Sequence, residues 1–439
     1  MDFLVILFTK LIAFFTGLLG GGTNLPGQIA LKLRPQILKY LVRGYHVILV
    51  TGTNGKTTTS AMLQNILRQT GKRAINSTSG ANMKGGVVSC LIREFPLFRK
   101  VKGDYAVLEV DEAYVRHITA EIKPEIIAVT NIFRDQLDRY GETGKTLLMI
   151  EEGCRKAPDA TLVLNADEPL LGGFMPEGKR CFYGFGLPIQ ANVTKCEEVH
   201  CPCCRKPLQY SYMTLNHLGA YVCAECGFKR PALTYAVDGI HSVSADCSQV
   251  TFSGTTVNIM QAGAYNIYNA LCAAACASAL GVSNEEIAKG IAGQKSKFGR
   301  QEDVQVENAN VRIILIKNPV GASEAIASVL PDKERVSVGV ILNDNVGDGT
   351  DVSWIYDVDF SALTTMNYEH FYVGGTRVYD MAVRMKVTGI EPNVCTDYEA
   401  LLNEIEKVDG RVYLFVTYSA MIGFRKLLHS KKYIKKLWF

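Results

Sequence analysis

A glycine-rich segment beginning at Thr51 has the residue types of a phosphate-binding loop. Residues 51–58 read TGTNGKTT, and an apolar segment precedes them. Glycines let backbone N–H groups approach a polyphosphate, a lysine meets the β- and γ-phosphate oxygens, and a hydroxyl holds Mg²⁺. The standard motif has another glycine where Val50 stands, so a plain glycine-rich turn is the alternative. We predict an ATP site that includes Gly52, Thr53, Asn54, Gly55, Lys56, Thr57 and Thr58.

Carboxylates at the end of a second apolar segment are candidates for the metal site of this loop. Residues 107–112 read VLEVDE, which is typical of a buried strand that ends in acidic side chains. A carboxylate beside a phosphate loop commonly completes a Mg²⁺ site. We therefore predict that Glu109 and Thr57 bind Mg²⁺ and that Lys56 and Glu109 are catalytic. A solvated acidic turn at Glu109 is the alternative.

Four cysteines have the spacing of a metal site. Cys201, Cys204, Cys223 and Cys226 form two CxxC pairs separated by 18 residues. Two such pairs can place four thiolates around one tetrahedral ion, and zinc is the metal that this ligand set favours. The spacing leaves Cys203 outside the set. We predict a structural Zn²⁺ site, with reduced structural or redox thiols as the alternative.

The elements that must position these residues alternate between strands and helices. Residues 45–50 (YHVILV) are apolar and rich in β-branched side chains, which predicts a buried strand, and a helical pattern follows the loop. Such alternation predicts an α/β fold, with a mostly parallel sheet and helices on both faces. Further strands are predicted at 105–110, 126–129, 161–164 and 250–259, and a further helix at 265–280.

A second group of apolar segments indicates another α/β unit near the C-terminal end, with strands predicted at 311–316, 336–342, 371–373 and 412–416. Acidic residues and asparagines make residues 303–310 resemble a linker. We predict a helical N-terminal segment over 1–44, an ATPase domain over 45–305 with a cysteine-rich insertion over 196–230, and a C-terminal domain over 306–439.

Composition excludes several classes of protein. The chain has 439 residues, of which 48% are hydrophobic and 21% charged, so it can bury a large core and does not resemble a disordered chain. Its 47 basic and 43 acidic residues give a net charge of +4, too small to predict nucleic-acid binding. Thirteen cysteines, with no cleavable secretory signal, favour a reducing cytoplasm over a disulfide framework.

Both ends of the sequence have apolar character. Residues 3–19 are apolar apart from Lys10 and a few small or polar residues, which predicts a core-packed or interfacial helix, with a membrane span as the alternative. In residues 426–439, lysines are interleaved with apolar and aromatic residues. This basic end predicts contact with an anionic membrane surface at the inner face of the membrane, or else a solvated last helix.

Several motifs follow the phosphate loop in order: TNI at 130–132, DQLDRY at 135–140, LNADEP at 164–169, YNIYNA at 265–270 and FGR at 298–300. With the loop and Glu109, these motifs resemble the central ATPase domain of the Mur ligase family over residues 45–302. The resemblance implies the Mur ligase fold, and it implies that Asn131, Asn269 and Arg300 also contact the nucleotide.

Other features of the sequence indicate which members of the family this chain resembles. Most Mur ligases place a UDP-binding domain before the loop, whereas 51 residues precede Gly52 here, so we expect that domain to be absent. The four-cysteine insertion and residues 317–321, 348–359 and 376–380 resemble family members that amidate peptidoglycan. This implies ATP-dependent amidation, through an acyl phosphate, of the α-carboxyl of D-isoglutamate in the lipid II stem peptide. Ammonia would come from glutamine hydrolysed by a GatD-type glutaminase subunit.

The same resemblance implies that the C-terminal domain lends the partner an aspartate. That carboxylate would orient a catalytic histidine of a Cys-His-Asp arrangement across the subunit interface. The Asp-Gly-Thr-Asp turn at 348–351 supplies the candidates, of which we rank Asp351 slightly ahead of Asp348. The alternative is that these carboxylates cap a helix beginning near Ser353.

Two positions depart from the family pattern. The usual Asp-His-x-Asp-Arg reads DQLDR at 135–139, and no lysine near 149–152 corresponds to the one that many relatives carbamylate. Glu151 or Glu152 is a positional candidate for the carboxylate that the carbamate would provide.

Two other functions remain open. A ligase of the folylpolyglutamate or poly-γ-glutamate synthase type would share the ATPase core but condense a free amino acid, and it would not depend on a glutaminase. A nucleic-acid-binding ATPase with a zinc ribbon is the second alternative, against which the near-neutral charge argues.

Overall fold

The structure is a computed structural model. It describes residues 2–18, 24–77, 82–97, 101, 103–133, 143–188, 199–244, 246–294, 300–345 and 347–435. The predicted motif at 135–140, Phe298, Gly299 and residues 436–439 of the basic end lie outside the described residues. For Arg300, a predicted nucleotide contact, only the backbone is described.

Strands and helices alternate along the chain, as the apolar pattern predicts. The strands are β1 Tyr45–Thr51, β2 Ala74–Asn76, β3 Asp104–Glu109, β4 Ile126–Val129, β5 Thr161–Asn165, β6 Lys179–Phe185, β7 Gln209–Leu215, β8 Leu218–Val222, β9 Tyr235–Val243, β10 Ser248–Phe252, β11 Thr255–Ile259, β12 Arg300–Val306, β13 Ala309–Leu315, β14 Val336–Ile341, β15 Tyr368–Gly374, β16 Asn393–Val394 and β17 Gly410–Val416. The helices are α1 Asp2–Leu18, α2 Leu25–Leu33, α3 Ile37–Leu41, α4 Lys56–Gln69, α5 Lys84–Glu94, α6 Val115–Thr119, α7 Thr143–Arg155, α8 Pro169–Gly172, α9 Ala264–Ala279, α10 Asn284–Ala292, α11 Pro319–Val329, α12 Val378–Val387, α13 Tyr398–Ile405 and α14 Tyr418–Ser430.

Among the described residues, nine strands form the sheet that carries the phosphate loop, in the order β11-β10-β9-β6-β5-β4-β1-β3-β2. β1 lies between β3 and β4 and is parallel to both, with Val50 aligned to Glu109 on one side and Ala128 on the other. The carboxyl ends of these three strands therefore meet at one edge of the sheet. Glu109 is the last residue of β3, the phosphate loop follows β1, and Asn131 follows β4.

Side chains of β1 alternate between two apolar cores. Val47 and Leu49 pack with α1–α3 and α5–α7, whereas Ile48 and Val50 pack with α4, α9 and α10. The strand can be apolar on both sides because helices cover both faces, which is the reason buried parallel strands read as continuous apolar runs. The predicted α/β fold, mostly parallel and covered on both faces, is confirmed.

One strand prediction is wrong. Residues 250–259 are not a single strand, because Ser253 and Gly254 take positive φ angles of 43° and 83° and turn the chain. β10 and β11 consequently pair as an antiparallel hairpin at the end of the sheet. The apolar residues on either side of the turn hide it in a simple reading of the sequence.

The cysteine-rich segment leaves the first sheet after β6 and returns to it at β9. Within it, β7 and β8 form a separate antiparallel pair. Short bridges join His200 to Pro207 and Val222 to Lys229, so each pair of cysteines lies beside a tight turn. This arrangement agrees with the predicted insertion.

A second sheet of six strands in the described residues has the order β12-β13-β17-β14-β15-β16. Its strands are parallel except for the β12–β13 hairpin. Helices α11 and α12 pack on one face, and α13 and α14 pack on the other. This layered sheet confirms the expected second α/β unit.

The linker predicted at 303–310 is wrong in detail. Those residues belong to β12, the turn after it and the start of β13. Val304 and Val306 are buried, whereas the acidic and amide side chains beside them produce the polar texture that resembles a linker. Residues 300–305 therefore pair within the second sheet, while the predicted division at 305 assigns them to the first domain.

The first helix, α1, is partly embedded. Ile6, Thr9 and Ala13 are buried on the side facing the rest of the chain. None of the helices in the described ranges combines the length and the hydropathy needed to cross a membrane.

Candidate functional site

The phosphate loop joins the end of β1 to the start of α4. Gly52 and Gly55 have φ angles of 114° and 87°, in the left-handed region. A Cβ at Gly52 would collide with Oγ1 of Thr130, and one at Gly55 would collide with Oδ1 of Asn269. Both glycines are thus required by backbone conformation and by close approach. The N-terminus of α4 at Lys56 offers backbone N–H groups to an anion.

Lys56 is buried and paired within the loop. Its Nζ donates to the carbonyl oxygen of Gly52, to that of Thr53 at 3.3 Å and to Oε1 of Glu112 at 3.0 Å. Burial lowers the pKa of Lys56, but Glu112, Glu109 and Asp111 outweigh it, so the pKa lies above its ordinary value. The Lys56 side chain is therefore positively charged at every physiological pH, and it lies within the phosphate loop.

Thr57 and Glu109 lie together beside this cation. Oγ1 of Thr57 donates to Oε2 of Glu109 at 2.7 Å, and Glu109 is only 4% exposed. Such low exposure argues against a solvated acidic turn. A hydroxyl and a carboxylate are oxygen ligands of the kind that Mg²⁺ prefers, so these two residues fit the predicted magnesium site.

Asn131, which follows β4, is hydrogen-bonded to the backbone of the phosphate loop. Its Oδ1 accepts the backbone N–H of Asn54 at 2.9 Å, and its Nδ2 donates to the carbonyl oxygen of Asn54 at 3.2 Å. In addition, Oγ1 of Thr53 accepts the backbone N–H of Phe133 at 3.0 Å. The segment after β4 thus holds two consecutive residues of the loop, Thr53 by its side chain and Asn54 by its backbone.

Asn269 and Thr58 lie close to the loop on helices. Asn269, on α9, is buried next to Gly55, and its Nδ2 donates to Oδ1 of Asn266 at 3.1 Å. Thr58 is buried in the first turn of α4. The structure therefore brings the predicted nucleotide contacts together, apart from Arg300, whose side chain is not described.

Two residues of this site were missed by the sequence reasoning. Glu112 is the ion-pair partner of Lys56, and it lies in the acidic run from which only Glu109 was chosen. Asn318 comes from the second sheet: its Nδ2 donates to Oδ1 of Asn54 at 3.1 Å, and its own Oδ1 accepts the N–H of Gly321 at the start of α11. The acidic run that contains Glu112 and the motif at 317–321 that contains Asn318 were the available sequence signals.

The two candidate carboxylates for the partner have different environments. Asp348 is buried and accepts bonds from the backbone N–H of Ser419 at 2.7 Å and from its hydroxyl, at the N-terminus of α14. Asp351 is exposed, and its Oδ1 accepts the N–H of Ser353 at 2.9 Å. Bonds from Ser353 lower the pKa of Asp351, which keeps it ionised. A short 3₁₀ helix does begin at Ser353, but its N-cap residue is Val352, which makes no side-chain capping bond. The carboxylate of Asp351 contacts the first residue of this helix and also faces solvent.

Glu151 and Glu152, on α7, form ion pairs with nearby basic side chains of α6 and of the segment that ends α7. Glu151 contacts Arg155, and Glu152 contacts Arg116 and Lys156. Within the described residues, these ion pairs offer no support for either glutamate as a metal ligand.

The four predicted zinc ligands converge at the base of the β7–β8 hairpin. Their sulfur atoms all lie within 4.8 Å of one another, with separations of 3.6 Å for Cys201–Cys226 and 3.5 Å for Cys204–Cys223. Four thiolates about 2.3 Å from one zinc ion would be roughly 3.8 Å apart, so the residues fit that metal. Burial raises the pKa of Cys201, but hydrogen bonds from the backbone N–H groups of Cys204 and Cys203 outweigh burial and lower the pKa to about 7.

Comparison with known proteins identifies both parts of the chain. The Mur ligase middle domain matches residues 50–200, and the MurT ligase C-terminal domain matches residues 315–421. The lipid II isoglutaminyl synthase (glutamine-hydrolyzing) subunit MurT of Streptococcus pneumoniae (strain ATCC BAA-255 / R6) is 38% identical over 430 residues, 96% of each chain. The same subunit of Staphylococcus aureus (strain COL) is 35% identical over 84% of each chain.

Two solved structures share the fold. A pseudomurein peptide ligase type C from Methanothermus fervidus has a TM-score of 0.70 at 24% identity, over 90% of this chain and 80% of that one. MurF from Acinetobacter baumannii has a TM-score of 0.67 at 19% identity, over 92% and 80%. The phosphate loop, the Thr57–Glu109 pair and the second sheet thus lie on a known ligase architecture.

Proposed function

This chain belongs to the MurT family of Mur ligase-like enzymes, and we propose that it amidates the α-carboxyl of D-isoglutamate in the lipid II stem peptide. The product is D-isoglutamine, and the nitrogen comes from glutamine through a GatD-type glutaminase subunit. The relatives named above are subunits of lipid II isoglutaminyl synthase, which supports the choice of substrate. The observation that carries the chemistry is the placement of Lys56, Thr57 and Glu109 around one phosphate loop.

The reaction we propose has two steps. The substrate carboxylate attacks the γ-phosphorus of ATP, which forms an acyl phosphate and releases ADP. Ammonia then attacks the carbonyl carbon, phosphate leaves with the bonding electron pair, and the nitrogen releases one proton to give the neutral amide. The first step is needed because a free carboxylate is a poor acyl donor.

The residues of this chain bind and orient the reacting phosphate. Backbone N–H groups at the start of α4 and the ammonium of Lys56 offset its negative charge. For Lys56 to reach a phosphate, it exchanges its bond to Glu112 for one to the γ-phosphate. Thr57 and Glu109 would hold Mg²⁺, which supplies additional positive charge when bound. Asn318 would bring the second sheet to the loop through Asn54.

The C-terminal part of the chain contacts the glutaminase in this proposal. Asp351 is the candidate to orient the partner's histidine, since it is exposed whereas Asp348 is bonded to Ser419. The proposed division is a helical segment at 1–44, an ATPase domain at 45–305 and a C-terminal domain at 306–439, except that β12 pairs within the second sheet and therefore goes with the C-terminal domain. We place the enzyme in the cytoplasm, in peripheral contact with the inner face of the membrane, where lipid II is made.

An experiment separates this function from the amino-acid-adding alternative. The purified chain and a glutaminase partner are incubated with lipid II, ATP and glutamine, and lipid II is analysed by mass spectrometry. We expect the small mass decrease that accompanies replacement of a hydroxyl by an amino group, and none with Lys56→Ala. A mass increase on addition of a free amino acid, without the partner, would instead support the folylpolyglutamate-type alternative.

A further inference from the structure

One side of α1 presents a continuous apolar surface that no other described residue covers. Ile6, Thr9 and Ala13 hold the opposite side against the rest of the chain. We call the outward surface the α1 apolar face; its side chains are each at least 40% exposed, and they are Phe3, Leu4, Leu7, Phe8, Leu11, Phe14 and Phe15.

The spacing of these side chains makes them one surface. Positions 3, 4, 7, 8, 11, 14 and 15 follow the three- and four-residue steps that place side chains along one stripe of a helix. Single exposed apolar residues are common, but a large contiguous apolar surface, here with four phenylalanines, marks an interaction site. A partner for this face must therefore offer an apolar environment.

Basic groups border the face. Nζ of Lys10 donates to the carbonyl oxygen of Arg93 at 2.8 Å, which places the exposed end of α5 beside the middle of α1. Nε of Arg34 contacts Asp2 at 2.6 Å, which brings the end of α2 to the start of α1. Lys32 is also exposed at that end of α2. Of the acidic groups at this border, Asp2 is paired with Arg34, and Glu94 is paired with Arg73.

The charge of this part of the chain is unbalanced. Residues 1–44 contain five basic residues and one acidic residue. The whole chain has 47 basic and 43 acidic residues, which leaves 42 of each beyond residue 44. The entire formal net charge of +4 is thus located in the segment that carries the α1 apolar face.

We infer that the α1 apolar face inserts into the headgroup boundary of an anionic lipid bilayer, with Lys32 and Arg93 against the lipid phosphates. A helix with one apolar side and a basic border is typical of proteins that lie in the membrane interface. The contacts of Ile6, Thr9 and Ala13 hold the helix along the protein surface, so it would lie in the plane of the bilayer.

Charge also argues against a second copy of the chain as the occupant. A symmetric dimer through this face would bring two segments of charge +4 together, and like charges at an interface repel. An anionic bilayer instead attracts the basic border while it covers the apolar side chains. The inference does not rest on the proposed amidation, since neither ATP nor glutamine enters it.

Vesicle sedimentation of the full chain tests this inference. We expect binding to vesicles of phosphatidylglycerol and phosphatidylethanolamine, weaker binding to phosphatidylcholine alone, and a decrease as salt is raised. Combining Leu4→Ser, Phe8→Ser and Phe14→Ser should reduce the bound fraction by about tenfold or more, because three inserted side chains are lost. The matched control combines Val383→Ser and Val387→Ser, which change exposed apolar side chains on α12.

The charge is tested separately by Lys32→Glu combined with Arg93→Glu, which should weaken binding to the anionic vesicles only. Unchanged melting temperatures would show that the variants fold, and Phe14→Ser alone replaces the triple variant if that variant unfolds. Failure of the natural chain to bind anionic vesicles would overturn the inference, as would binding by the serine variant equal to that of the control. A doubled mass in light scattering that the serine variant abolishes would identify a second copy as the occupant and contradict the lipid assignment.

Discussion

Nε2 of His217 lies 2.8 Å from Oε2 of Glu168, and the same carboxylate oxygen accepts the backbone N–H of Ile132 at 3.3 Å. His217 lies in the turn between β7 and β8 of the cysteine-rich segment. The residue after Ile132 is Phe133, whose N–H donates to Thr53 in the phosphate loop. One carboxylate and one short segment therefore connect the cysteine-rich hairpin to the ATP site.

The first prediction concerns the pH dependence of this contact. Burial lowers the pKa of His217, but Glu168 outweighs burial, so the folded pKa lies above the ordinary value of 6.5. A raised histidine pKa stabilises the fold fully below pH 6.5, and the stabilisation is lost as pH rises through the folded pKa. His217→Gln should therefore lower the free energy of unfolding by about 1 kcal/mol at pH 6 and by less at pH 9.

Urea unfolding at the two pH values measures this difference. His241→Gln is the control, because His241 is an exposed histidine bonded to Thr251. If the loss of unfolding free energy caused by His217→Gln increased with pH, the proposed ion pair between His217 and Glu168 would be contradicted.

The second prediction concerns the metal. We expect about one zinc ion per chain in the purified protein, and Cys204→Ser should lower its zinc content and its melting temperature, because metal binding contributes folding free energy. Cys203→Ser is a closely matched control, since Cys203 is exposed and outside the cluster. Equal zinc content and stability in the two variants would refute the four-cysteine site.

The third prediction concerns Lys56. Lys56→Ala removes the buried cation of the loop, and amidation should fall by about 10³-fold or more. Lys123→Ala, which changes an exposed lysine, should have no such effect. Isothermal titration with an ATP analogue measures the loss of nucleotide binding, and the amidation assay measures the loss of activity. Near-normal amidation by Lys56→Ala would exclude this loop as the ATP site.

The fourth prediction concerns Glu109. Glu109→Gln keeps the size of the side chain and its contact with Thr57 but removes the charge that would hold Mg²⁺. We expect the Mg²⁺ concentration for half-maximal activity to rise about tenfold or more, since carboxylate charge dominates binding of this cation. An unchanged Mg²⁺ requirement would place the metal elsewhere.

Local sequence patterns predicted the elements that carry the ATP site. The apolar, β-branched run before Thr51 and the glycines after it specify a strand, a turn and a helix, and the structure places all three over residues 45–69. The cysteine spacing likewise predicted which four sulfur atoms meet. In both cases, the residues that make the feature are close in sequence.

Long-range contacts were not predictable in this way. Asn318 reaches Asn54 from 264 positions along the chain, and His217 reaches Glu168 from 49. Nothing in the residues around His217 distinguishes it from the other six histidines. The pairing of β12 with β13 was obscured for a different reason. Every second side chain of β12 points outward and is polar, so the strand has the composition of a linker.

The two aspartates of the 348–351 turn should differ in their effect on stability. Asp348→Asn removes a buried charge bonded to the N-terminus of α14, where a negative charge is favourable, so the melting temperature should fall. Asp351→Asn changes an exposed side chain, so the melting temperature should remain almost unchanged. The stability measurement therefore identifies which aspartate is structural, before any activity is measured.

The last prediction is the functional consequence of that difference. If Asp351 orients the partner's histidine, Asp351→Asn should reduce glutamine-dependent amidation by up to about 10⁴-fold while the two subunits still assemble. Free ammonia at alkaline pH bypasses the glutaminase, so it should restore amidation by Asp351→Asn but not by Lys56→Ala, whose defect lies in the ATP site. Full glutaminase activity in Asp351→Asn would transfer the assignment to Asp348. Full activity in both single variants would show that the partner takes no carboxylate from this turn.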